Sequence, residues 1–384
     1  MDCQEYLKNG FFSGIILMAV FHGVLLAAVF LFHKKLNTTS NKFLALSILG
    51  ICGIIGYEFF VWLALEEQIP IWVATLPIYI GTSIPVGILC FVLFLINPEH
   101  QLSKLEKLGF VMMGVEFFFH FTQMLLPMFM ENLELIEWVE EYGFVFGWLV
   151  SVLAFMIFLP LALYHVLRYQ RFLYDNYSTT HKKSLGWLQT FLMLIFVTSL
   201  LWCLSFIQYV LGYEQACDFT YNIVTICFIL LLFSIGYFLV LEYSWFEIAP
   251  IKEESAENKT TSNKLSSNTI YYYKQLKQLL QDEKVYEDVN LTLDNLSERL
   301  QISSGYLSLI IKENEQKNFF EFINFYRVES VKQKLLDDDY KNYTIMGIAT
   351  ECGFNSKSTF YSVFKKFTGE TPSAFKRQAS LHSN

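Results

Sequence analysis

Lys and Arg are absent from the interior of seven long stretches of this 384-residue chain. Only 17% of the residues are charged, against ~25% in an ordinary soluble domain. With 54% hydrophobic residues and a mean hydropathy of +0.37, a conventional soluble enzyme is a poor fit. Catalytic signatures are missing too. There is no His-Glu-x-x-His zinc motif, no Gly-x-Ser-x-Gly elbow, no kinase motif set and no Gly-rich phosphate loop. The seven cysteines show no metal-ligand spacing. Nothing supports catalysis, a metal or a cofactor.

The stretches lie at about 11–32, 43–65, 70–96, 107–130, 144–167, 188–212 and 219–241. About 20 apolar residues at ~1.5 Å rise cross a ~30 Å hydrocarbon core, and a backbone in lipid must satisfy itself, so each run predicts a membrane helix. The first run is preceded only by Lys8 and followed by Lys34 and Lys35, the wrong flanks for a signal peptide. The seventh run holds no Lys, which excludes a retinal Schiff base there.

The connections alternate. Lys34, Lys35 and Lys42 lie in the first, Lys104 and Lys107 in the third, and Arg168, Arg171, Lys182 and Lys183 in the fifth. The second carries Glu66 and Glu67, the fourth Glu131, Glu134, Glu137, Glu140 and Glu141, and the sixth Glu214 and Asp218. By the positive-inside rule the odd loops are cytoplasmic. The N-terminus is then outside, and seven crossings deliver the C-terminal tail to the cytoplasm. Cys3 and Cys217 fall on the outer side, where a disulfide between them stays open.

Few ionisable groups lie inside the spans, and such groups usually face the bundle interior. Glu58, Glu116 and His120 are the candidates for intramembrane sensing. Glu116 and His120 stand one helical turn apart. They serve either to share a proton or bind a polar ligand group, or to hold helices together.

The polar segment 243–269 reads as a flexible linker. A connecting helix over about 270–284 follows, with Ile270, Tyr273, Leu276, Leu279 and Leu280 on one face. It either packs on its own domain or acts as a dimerisation or signal-transmitting helix. Two helix-turn-helix patterns come next, at about 291–314 and 343–368. In the first, Leu307, Ile310, Ile311 and Asn314 share one face, opposite Gly305, Ser308, Leu309 and Lys312. In the second, Phe360, Val363, Phe364 and Phe367 face inward, and Ser358, Tyr361, Ser362 and Lys365 outward. A long helix over about 318–336 joins them. Residues 270–384 are neutral overall, yet from 341 onward the net charge is +4. Phosphate-binding surface is therefore expected in the last 44 residues.

The run Thr344-Ile-Met-Gly-Ile-Ala-Thr-Glu-Cys-Gly-Phe354, then Asn-Ser-Lys-Ser-Thr-Phe360, Val363-Phe-Lys-Lys366, Thr368-Gly369 and Thr371-Pro372, resembles the signature of AraC/XylS-type transcription regulators. Phe319-Phe-Glu-Phe-Ile-Asn-Phe-Tyr-Arg327 and Tyr306-Leu-Ser308 fit the same family. The likeness covers about 285–378. It implies two reading helices in the major groove of double-stranded DNA. By position, the base readers would be Gly305, Ser308 and Leu309 in the first unit and Lys357, Ser358 and Ser362 in the second. Lys357 can donate to guanine, and the serines to several base edges, whereas Gly305 and Leu309 offer no hydrogen bond. Lys341, Lys365 and Lys366 are candidates for phosphate, and Lys312 is a further DNA-binding candidate. The plain alternative for each lysine is a solvated surface charge.

The sequence thus predicts an all-α chain: a polytopic seven-helix transmembrane bundle (1–242), then a cytoplasmic all-α domain with two helix-turn-helix motifs (270–384). The matching function is a membrane-tethered one-component regulator in a bacterial inner membrane. Its partners are DNA, the lipid bilayer, an unknown ligand and, for an oligomer, a homodimer. The signal is expected to leave through the last span and residues 242–283, with proteolytic release of the head as a variant. The rival readings are a transporter or channel with a regulatory head, and a protein-interaction module.

Overall fold

The computed structural model describes residues 3–65, 80–129, 133–179, 185–241 and 265–382. The fold is all-helical, with 83% helix and no strand among the described residues. The order is α1 (Cys3–Phe32), α2 (Thr39–Leu65), α3 (Ser83–Ile96), α4 (Lys104–Phe129), α5 (Leu133–Asn176), α6 (Gly186–Val210) and α7 (Glu214–Leu241). Then come α8 (Leu265–Asp282), α9 (Leu293–Arg299), α10 (Ser304–Glu315), α11 (Phe319–Leu336), α12 (Ile345–Glu351), α13 (Lys357–Thr368) and α14 (Pro372–His382). Six of the first seven helices contain a segment long and apolar enough to cross a membrane. The other, α3, is a 14-residue apolar helix. The first part of the predicted 70–96 span, and the predicted linker up to residue 264, fall outside the described residues, and the linker's last five residues instead begin α8.

The chain divides into two compact units, Met1–Leu167 with Leu185–Ile251, and Arg168–Ser184 with Lys252–Asn384. In the first, α1 packs on α2 and α7, α2 on α3, and α6 on α7. Close approach relies on small residues. A Cβ at Gly87 of α3 would sit 2.8 Å from the Phe43 carbonyl oxygen of α2. Meanwhile Met18, Phe21, Val111, Phe118, Leu194 and Leu230 leave large apolar faces uncovered. The acidic fourth connection is mostly helix, because α5 begins at Leu133. Pro160 is accommodated inside α5.

Glu116 of α4 is completely buried. One carboxylate oxygen accepts from the Gly81 amide at 2.9 Å and the Ser151 hydroxyl. The other accepts from the Thr82 amide at 3.0 Å and the Thr82 hydroxyl. All four donors come from outside α4, so the carboxylate seats the N-terminus of α3 and ties it to α5. His120 faces Gln123 instead, with Nδ1 3.1 Å from Oε1. Glu58 lies on α2, and its side chain falls outside the described ones. Cys217 carries a free, buried thiol close to the Ser205 hydroxyl.

Glu116→Leu strands several buried donors and should cost about 2–4 kcal/mol. Thermal unfolding in detergent would read this as a lowered midpoint, with Glu116→Gln less affected.

Candidate nucleic-acid interface

The second unit is built round α11, whose two ends feed two cores. Phe319, Phe322 and Ile323 pack with α8, α9 and α10 through Leu276, Leu280, Leu296, Leu307 and Ile311. Val328, Val331 and Leu335 pack with α12 and α13 through Ile348, Ala349, Phe360, Val363 and Phe364. Each short helix starts on a side-chain cap that satisfies an orphan amide. Thr292 caps α9, Ser303 α10, Thr344 α12 and Ser356 α13, while Asn318 and Glu321 form a capping box on α11. The helix α14 was not anticipated from the sequence. Pro372 opens it, and Phe375 packs on Phe364.

The connecting helix α8 packs on its own domain, although Ile270 of the predicted inner face is 70% exposed. Lys277 is the clasp. Its Nζ donates to Glu315 Oε1 at 2.5 Å and to the Tyr326 hydroxyl at 2.5 Å. The Tyr273 hydroxyl also donates to Glu315. Burial works against both charges. Hydrogen bonding overcomes it, raising the Lys277 pKa and lowering that of Glu315 from 4.5 to about 2.

The two outward faces match the sequence reading in part. Gly305, Leu309 and Lys312 of α10 are exposed and Ser308 is half-buried. Asn314, expected on the inner face, is exposed and bonds back to the Ile310 carbonyl. On α13, Lys357, Ser358, Ser362, Lys365 and Lys366 are all exposed. Lys357 sits over the Tyr361 ring at 5.7 Å, and the Ser358 hydroxyl lies 2.9 Å from that of Ser356. Lys366 is paired with Glu321 at 2.6 Å. That exposed pair leaves Lys365 the freer cation of the two.

Between the two cores lies Arg327, 1% exposed. Its Nε donates to the Tyr286 carbonyl and a terminal nitrogen to the Asp288 carbonyl, each at 2.7 Å. The remaining acceptors are the Ser178 carbonyl at 3.1 Å, the Ser178 hydroxyl at 3.0 Å and the Thr179 hydroxyl at 3.3 Å. Burial lowers the guanidinium pKa to about 10, which leaves it charged at neutral pH. Gly353, in the turn between α12 and α13, has φ +90°. A Cβ there would fall 2.6 Å from the Tyr286 carbonyl and 2.8 Å from Arg327 Nε. Arg327 thus packs directly beneath that turn. In sequence, Arg327 is one residue of the family-like motif with no task of its own, and Ser178 lies in the basic fifth connection with nothing to mark it.

Residues 296–378 match the helix-turn-helix domain family. The melibiose operon regulatory protein of Escherichia coli (strain K12) is 27% identical over 120 residues, 31% of this chain and 38% of that protein. An uncharacterised HTH-type transcriptional regulator of Staphylococcus aureus (strain COL) is 37% identical over 87 residues, 23% of this chain and 11% of that protein. The chain therefore spans well under half the length of these relatives. Among solved structures, the C-terminal domain of the two-component response regulator yesN from Fusobacterium nucleatum is 34% identical. It covers 28% of this chain and 98% of that chain, with a TM-score of 0.24. A Listeria innocua protein of unknown function is 25% identical over 27% of this chain and 94% of that chain, with a TM-score of 0.25. The C-terminal part thus contains a segment similar to a helix-turn-helix domain, and the curated relatives that share it are described as regulators, not enzymes.

The folded Glu315 pKa lies below its ordinary value. The clasp therefore contributes fully above pH about 4.5, and its contribution is lost as the pH falls towards about 2. Unfolding of the full chain in detergent, followed by tyrosine fluorescence, should weaken across that window. Glu315→Gln should flatten the response.

Proposed function

We propose that this chain is a membrane-tethered one-component transcription regulator of a bacterial inner membrane. The observation that carries the reading is the union, in one polypeptide, of six long apolar helices with a segment that matches the helix-turn-helix domain family. The uncovered apolar side chains of α1, α4, α6 and α7 suit lipid contact. With the 70–96 run counted as one crossing, seven crossings would put the N-terminus outside and the domain in the cytoplasm, in keeping with the alternation of basic loops. A stimulus acting on the bundle alters how the domain engages double-stranded DNA, as a monomer or a homodimer. Glu116 is committed to the α3 seat, so we assign it to holding the bundle. A polar ligand would be met by groups such as His120.

On the DNA side, α10 and α13 are the reading helices. Lys357, Ser358 and Ser362 specify bases, and Lys312 and Lys365 hold phosphate. The first unit, with Gly305 and Leu309 on its outer face, positions more than it specifies.

Three measurements test this. Reporter fusions at the C-terminus should be active only on the cytoplasmic side, and periplasmic activity overturns the topology. Lys357→Ala should relax selectivity at one base pair by about 1–3 kcal/mol. Lys365→Ala should weaken all sequences alike and reduce the salt slope by about 1. A uniform loss for Lys357→Ala removes it from the readers.

A further inference from the structure

The stretch after α5 has the structure of a docked strap. Helix α5 runs unbroken from Leu133 to Asn176, and from Arg168 onward its residues belong to the second unit. Tyr174 meets Phe320 edge-on at 5.2 Å. Tyr177 forms an antiparallel bridge with Thr292, and the Ser178 amide and hydroxyl both donate to the Leu291 carbonyl, at 3.3 and 2.7 Å. The Thr179 hydroxyl donates to the Val289 carbonyl at 3.0 Å. In return, the Ser178 carbonyl accepts from Asn324 at 3.0 Å and from Arg327 at 3.1 Å.

This is more than surface contact. Ser178 and Asn324 are buried to 0% exposure. Three of the five acceptors round the guanidinium belong to Ser178 and Thr179. A buried cation that loses acceptors must draw in water or shift. The group that would shift lies directly beneath Gly353, at the turn that aims α13.

We propose that residues 171–179 are a coupling strap, whose docking on Arg327 and Asn324 holds the α12–α13 pair ready for DNA, so that movement of α5 switches DNA affinity. The proposal rests on the tethered-regulator reading. It adds a route that bypasses the linker over 242–264: α5 hands its displacement to the strap, and the strap to Arg327.

The test uses the full chain in membranes. Opposed residues of an antiparallel bridge have Cα atoms about 4.5–5.5 Å apart, within disulfide reach. Tyr177→Cys with Thr292→Cys should cross-link under oxidised glutathione, well above either single variant. The singles also control for the lost α9 cap. Retention of a pool of genomic fragments at near-physiological salt is then measured. Ser178→Pro with Thr179→Val should lower retention at least about tenfold. Added to the cysteine pair, the same two changes should lose retention when reduced and regain most of it when oxidised.

Absence of a cross-link above the singles overturns the docking. Unchanged retention in Ser178→Pro/Thr179→Val overturns the coupling. So does a loss that persists although the cross-link has formed, since the damage then lies elsewhere. If the reduced cysteine pair with native Ser178 and Thr179 retains no DNA, the regulator reading fails and takes this proposal with it. The cross-link yield distinguishes that case from a failure of docking.

Discussion

A guanidinium can stay charged in a dry interior only if its N–H groups find acceptors. The second unit is organised round that requirement. Arg327 sits midway along α11, where the core of the first helix pair gives way to that of the second. Its acceptors are carbonyls of the 285–288 turn and the backbone and hydroxyls of Ser178 and Thr179. Segments far apart in sequence are held in register because each supplies an oxygen that the others cannot. The cation sits beside the ring of Phe354 at 5.9 Å, so packing and polarity meet at one residue.

The other unit uses the inverse device. There the buried charge site is a carboxylate, Glu116, and the neutral donors are two backbone amides and two hydroxyls. The amides are those of Gly81 and Thr82, at the start of α3. A helix N-terminus has unpaired N–H groups and a favourable dipole, so an acid is a natural seat for it. In both units an ionisable side chain is fixed by backbone groups of distant segments. Such contacts depend on direction as well as distance, and fix a packing that apolar contacts alone leave more tolerant.

Much of this was legible in the sequence because it depended on local periodicity. The exposed faces of α10 and α13, and the inward set Phe360, Val363 and Phe364, follow from helical spacing alone. Asn314 and Ile270 went astray for the opposite reason: near helix ends, the neighbours that decide burial come from elsewhere in the chain. The length of α5 was hidden because its last turns are polar and read as a loop, and its first turns carry the acids of another. Glu116 was noticed as a charge in an apolar run, but its partners lie about 35 residues away. Ser178 had no signal at all. A lone hydroxyl in a polar stretch is ordinary until the chain closes over it.

That closure carries a timetable. Ser178 and Arg327 are separated by 149 residues. At translation speeds of about 5–20 residues per second, the strap exists for roughly 7–30 seconds before its arginine is made. For the first part of that interval, until Val289 and Leu291 follow 110 and 113 residues after Thr179 and Ser178, its hydroxyls have none of these partners. The nascent chain must keep those few residues in reserve, so that the last part synthesised closes onto a piece laid down long before.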